Sequence, residues 1–197
     1  MSIARVLLLV GATAAAACGD AAPEAAPVLR APSDPEPLVA PDTVDVSGLG
    51  SVVARLEAEN DSGIEGTVRL TRSGEAVRVF ALIDGVRADH HYGIQILLGR
   101  TCDADPDVHL GAELGRPHGS PYAPPAHRHL GDLGSVRGDD SGRGRYDRID
   151  PVVSLDGTSS AAGRAVVIRA EADDAATQPA GRAGAVVACG VFSGGPA

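Results

Sequence analysis

The residues of this 197-residue chain best suited to chemistry lie in Ala126-His127-Arg128-His129-Leu130-Gly131-Asp132-Leu133-Gly134. Here two imidazoles and a carboxylate fall within six residues, beside glycines that favour turns. Neutral imidazole nitrogen and carboxylate oxygen both suit zinc, and the interval from His129 to Asp132 lets one tight turn aim both at one ion. Taken alone, the stretch reads more readily as solvated loop histidines with a turn aspartate. His90 and His91 are adjacent, and neighbours on a strand face opposite ways, so they read as turn residues rather than as one ion's ligands. No glycine-rich phosphate loop or nucleophile elbow occurs.

The elements that must position such a site read as strands. Hydrophobic residues make up 44% of the chain, yet it has two Phe, three Tyr and no Trp, so its core is built from Val, Leu, Ile and Ala. Period-two patterns start at Ser51: Ala54, Leu56 and Ala58 alternate with Val53, Arg55, Glu57 and Glu59. Ile64, Gly66, Val68 and Leu70 share one face, and after the turn at Arg72-Ser73-Gly74 so do Val77, Val79, Ala81 and Ile83. Further runs occur at 92–98, 144–149, 165–170 and 185–192. Half-buried antiparallel strands follow from this pattern. The expected fold class is all-β, a Greek-key β-sandwich or flattened eight-stranded barrel over 51–194 with two long loops. All 17 basic residues are Arg, against 26 acidic residues and a net charge of -9, which argues against a nucleic-acid partner.

The ends of the chain carry other signals. Residues 1–18 hold Arg5, an apolar run from Val6 to Val10 and small residues before Cys18. That is the pattern of a secretory leader, too short and Ala-rich for a membrane span. The residues before Cys18 resemble a bacterial lipoprotein processing site, which makes the membrane, through a lipid on Cys18, a partner and places the domain in the cell envelope; ordinary cleavage leaving a free thiol is the alternative. Residues 19–50 contain Pro23, Pro27, Pro32, Pro35, Pro37 and Pro41 among acidic residues opposed only by Arg30, the composition of an extended linker. With Cys18 lipidated, Cys102 and Cys189 remain as a pair, for which a disulfide or two buried thiols are the choices in an exported chain.

From about Ala54 to Val191 the ordered pieces Ala54-Arg55-Leu56, Ile64-Glu65-Gly66-Thr67-Val68, Ile83-Asp84-Gly85-Val86, Arg128 to Gly134, Gly163 to Ile168, Ala172-Asp173-Asp174 and Ala188-Cys189-Gly190-Val191 resemble copper/zinc superoxide dismutases. The resemblance places Cys102 and Cys189 at the family's disulfide. It also implies that Gln95 and Leu97 stand where two copper histidines alternate on a strand, and Arg169 where the late copper histidine stands. None of the three offers an imidazole, and a guanidinium has no lone pair for a metal. The family's anion-guiding arginine falls at Val186. For zinc, the resemblance implies His118, His129 and Asp132, with His109 at the bridging histidine. An alternative alignment puts Leu114 there, and His127 is a substitute ligand. Asp173 matches the aspartate that braces metal histidines. The expected cofactor is therefore zinc and not copper. The expected protein is a catalytically inactive scaffold, with an active dismutase using a rearranged copper site and a metal buffer using exposed histidines as competing classes. A homodimer is compatible with the resemblance; the residues name no ligand or protein partner.

Overall fold

The computed structural model describes residues 50–193. The leader at 1–18 with Cys18, and the linker except for Gly50, lie outside the described residues. Eight strands follow in order: β1 (Ser51–Ala58), β2 (Glu65–Ser73), β3 (Ala76–Asp84), β4 (His91–Ile96), β5 (Asp132–Arg137), β6 (Arg143–Asp150), β7 (Ala165–Arg169) and β8 (Val186–Val191). The only helical elements among these residues are two single 3₁₀ turns, Ala112–Leu114 and Pro125–His127.

All strand pairs are antiparallel, in the order β5-β4-β7-β8-β1-β2-β3-β6. A bridge between Gly138, just past β5, and Gly144 in β6 links the two edge strands, so the sheet nearly closes into a barrel. Its interior follows from the alternation. Val68 and Leu70 on β2 and Val77, Val79, Ala81 and Ile83 on β3 are buried, whereas Arg78, Leu82 and Asp84 face outward. The outward side of β3 is solvated, as a one-sided antiparallel sheet requires.

At β4 and β7 the alternation gives way to continuous burial. Tyr92, Ile94, Ile96, Val166 and Ile168 join the main core. Leu97, Ala165, Val167 and Cys189 form a second cluster on the opposite side. These strands are buried on both faces because the long connections 97–131 and 170–185 cover their outer side. Outward positions of β4 and β7 that would otherwise meet water therefore lie under loops, and there Gln95 and Arg169 are buried. Cys102 and Cys189 are bonded, with their Cα atoms 5.8 Å apart, tying the first of these loops to β8.

Candidate metal centre

His109 follows the disulfide segment as a short strand-like strip beside the end of β4. It bridges to Leu97, Leu98 N–H donates to Val108 O, and Leu110 N–H donates to Ile96 O. The chain returns past the same point at Gly131, where Ile96 N–H donates to Gly131 O. A Cβ on Gly131 would stand 2.1 Å from Ile96 O, so only glycine permits this crossing. One residue later Asp132 opens β5 opposite Gln95. His129 sits three residues before Asp132 at the end of the loop.

The turn is locked by Asp132 itself. Its Oδ2 accepts the backbone N–H of His129 at 2.7 Å and of Gly119 at 2.9 Å, which draws His118 against the other ligands. Its Oδ1 lies 2.7 Å from His109 Nδ1, 3.0 Å from His118 Nδ1 and 3.3 Å from His129 Nδ1. All four residues are buried, and one ligand atom from each lies within 4.8 Å of every other. Tetrahedral zinc with bonds of about 2.0–2.1 Å separates its donors by about 3.3 Å, so little adjustment would centre an ion among these atoms.

The outward nitrogens decide how the rings are oriented. His118 Nε2 is 2.8 Å from Asp173 Oδ1, and His129 Nε2 is 2.9 Å from Arg116 O. Carboxylate and carbonyl partners on the far nitrogen are what metal-ligating imidazoles take. Two ring nitrogens, His129 Nδ1 and His109 Nε2, are buried without a hydrogen-bond partner. Unpartnered buried polar atoms are uncommon in folded proteins. The first is accounted for by a metal on the Nδ1 side, so the donor set fits zinc.

The charges agree with this clustering. Burial disfavours a charged Asp132, but hydrogen bonds from His109 and His118, with the His129 imidazole close by, outweigh it and hold the carboxyl far below its usual range. Burial likewise lowers His118, and Asp132 and Asp173 overcome that penalty, raising its pKa to about 9.

The remaining expected residues separate clearly. Asp173 Oδ1 lies against His118 Nε2, and its other oxygen, Oδ2, accepts Gln95 Nε2 at 3.0 Å. Leu114 is 49% exposed in the first 3₁₀ turn, and His127 is exposed in the second, so neither belongs to the cluster. His90 is engaged with Ala170 O and stacks edge-on against Tyr92, while His91 is exposed. Leu97 packs in the outer apolar cluster, with Val186 against it. Arg169 is hydrogen-bonded on all sides: Nε to Gly184 O at 2.7 Å, Nη1 to Pro106 O at 2.7 Å and Nη2 to Asp107 Oδ1 at 3.1 Å.

Two contributors carried no advance signal. Gln178 clamps the backbone of His118, accepting its N–H at 2.8 Å and donating to its carbonyl at 2.9 Å. A glutamine 60 residues distant in an irregular loop has no motif that announces such a contact. Arg128 forms a buried two-point ion pair with Asp150, at 2.7 and 2.8 Å, that anchors the loop beside His129. An arginine inside a histidine-rich turn reads as solvated until its carboxylate partner is placed.

The sequence model described as copper/zinc superoxide dismutase (SODC) matches residues 64–192. The superoxide dismutase [Cu-Zn] of Deinococcus radiodurans is 29% identical over 157 residues, covering 73% of this chain and 86% of that protein. Superoxide dismutase [Cu-Zn] 2 of Brassica juncea is 31% identical over 153 residues, covering 73% of this chain and 97% of its own. Among solved structures, that of the clock protein EA4 is similar with a TM-score of 0.64 and 31% identity, over 74% of this chain and 94% of that one. With its barrel, disulfide and histidine-aspartate cluster so arranged, and with the family match spanning most of the chain, this protein belongs to the copper/zinc superoxide dismutase family.

Proposed function

We propose that the chain is an exported lipoprotein whose dismutase-like domain holds one structural zinc through His109, His118, His129 and Asp132 and does not dismutate superoxide. The observation that carries this reading is the state of the three positions where the family resemblance places copper histidines. Gln95 is buried and donates to Asp173 and to Ala180 O, Leu97 is packed among apolar residues, and Arg169 is a buried cation with its donors engaged. Dismutation cycles a metal between two oxidation states, and zinc has no accessible redox partner. When bound, zinc would contribute a cross-link of the 97–131 loop. Its four ligands are the chain's own, so no position is left open for substrate.

The same disulfide supports export, since such bonds persist in oxidising compartments. Attachment to an envelope membrane rests on Cys18 and the residues before it. Cys18→Ser should release the protein into the soluble fraction or block its processing, and unchanged membrane partition would overturn the anchor.

The experiment for inactivity is a dismutase assay of copper-loaded protein. With chelator present, the unmodified domain should give no more activity than a denatured control, and Gln95→His, Leu97→His and Arg169→His together should recover some if His109 supplies a bridge. The second reading, a dismutase with rearranged copper, is favoured by one observation: His109 Nε2 is buried and unpartnered. Chelator-resistant activity from the unmodified, copper-loaded domain would promote it.

A further inference from the structure

We propose that Arg169 is a positioning residue for the metal centre, an internal cationic cross-link that fixes the segment delivering His109. The inference rests on the zinc reading above. Arg169 is 6% exposed, and its guanidinium joins three separate parts of the chain. Nε donates to Gly184 O in the turn before β8. Nη1 and Nη2 donate to Pro106 O and Asp107 Oδ1, three and two residues before His109. Nη1 also lies 3.5 Å from Gln95 Oε1, the same side chain whose Nε2 holds Asp173 against His118.

The segment between Cys102 and Val108 has few other ties. Ala104 N–H and Val108 N–H bond within it or to Thr101, and Asp107 N–H bonds to Asp105. Cys102 is fixed at one end by the disulfide, and Val108 at the other by Leu98 N–H. Among the described residues, the hydrogen bonds that hold its middle to the barrel are those of Arg169. A planar guanidinium with a rigid fork of donors suits this task, because it can bind a carbonyl and a carboxylate at once. A lysine at 169 could reach only part of that set.

The test is the zinc dissociation constant of the full chain, by competition with a chromophoric chelator, for the unmodified protein and Arg169→Met. Loss of a residue that orients a ligand from outside the coordination shell costs about 10–100-fold in metal affinity, and a loss of that size is expected, with faster hydrogen exchange at the Leu98 and Val108 amides. Arg169→Lys should recover part of it. Asp107→Ala removes one contact from a half-exposed carboxylate and should weaken zinc binding by a few-fold, less than additively with Arg169→Met. A merely structural arginine would lower the unfolding transition equally with and without zinc and leave the constant within twofold, and that result overturns the proposal. Should Arg169→Met not fold, Asp107→Ala decides, with an unchanged constant overturning it. Failure of the unmodified chain to bind zinc would overturn the zinc reading itself.

Discussion

Asp132 does two jobs, and its replacements separate them. Oδ2 accepts two backbone N–H groups, from Gly119 and His129, and Oδ1 faces the three imidazoles, all with the side chain fully buried. Hydrogen bonds to a charged acceptor contribute about 1.5–3 kcal/mol each. In the zinc-free protein Asp132→Ala should therefore cost about 3–6 kcal/mol from these two donors alone, a large part of a typical domain's total of about 5–15 kcal/mol. Asp132→Asn keeps an oxygen for the two N–H groups but makes the bonds neutral, so it should cost roughly half as much. Its amide nitrogen cannot replace an anionic ligand, so both variants should lose zinc-dependent stabilisation. Urea unfolding with chelator measures the first effect, and the shift of midpoint on adding zinc measures the second. An asparagine variant with the full zinc-dependent shift, or an alanine variant within about 1 kcal/mol of the unmodified zinc-free protein, would refute this account of Asp132.

Other consequences follow from the same geometry. Replacing Cys102 and Cys189 by alanine removes a cross-link spanning 87 residues, which the loop-entropy model values at about 4–5 kcal/mol; a measured loss below about 1 kcal/mol would contradict it. In the zinc-free fold the pKa of His118 is raised from 6.5 to about 9, so its stabilising contribution is complete below pH 6.5 and lost as pH rises through about 9. Zinc needs the neutral ring, so binding near pH 7.5 should release about one proton from His118, measurable by calorimetry in buffers of different ionisation enthalpy; no release would contradict the assignment. A Cβ at Gly181 would stand 2.1 Å from Asp173 Oδ1 and 2.6 Å from His118 Nε2, so Gly181→Ala should break the brace and weaken zinc binding, by about tenfold. Gly157 shares its left-handed φ, 72° against 71°, but has open space around it, so Gly157→Ala should leave zinc affinity unchanged; equal effects would refute the steric argument.

Strands whose faces differ in polarity were legible from residue order. Val77, Val79, Ala81 and Ile83 alternate with exposed neighbours, and the structure buries all four. β5 was not anticipated, because its core residues Leu133 and Val136 stand three apart, where the pairing with β4 is irregular between Gly93 and Gln95, so no period-two pattern marks the strand. Within the zinc-type cluster, His129 and Asp132 were legible as a pair from their spacing, but His109 and His118 only through the family's order of motifs, since they are separated from that turn by irregular chain whose path no periodicity encodes. His109, not Leu114, lies in the cluster through a backbone bridge to Leu97, a long-range contact absent from local pattern. The fate of Arg169 was equally hidden: its loss as a ligand follows from its chemistry, but its bonds to Pro106, Asp107 and Gly184 depend on how two loops fold over β7.

The central claim is that the chain keeps a zinc centre and has given up copper. Elemental mass analysis of the protein purified from its own cells, after dialysis against a weak chelator, tests it directly. The account predicts about one zinc per chain and copper at background, as four enclosing ligands imply. Copper near one per chain, retained through the dialysis, would contradict it.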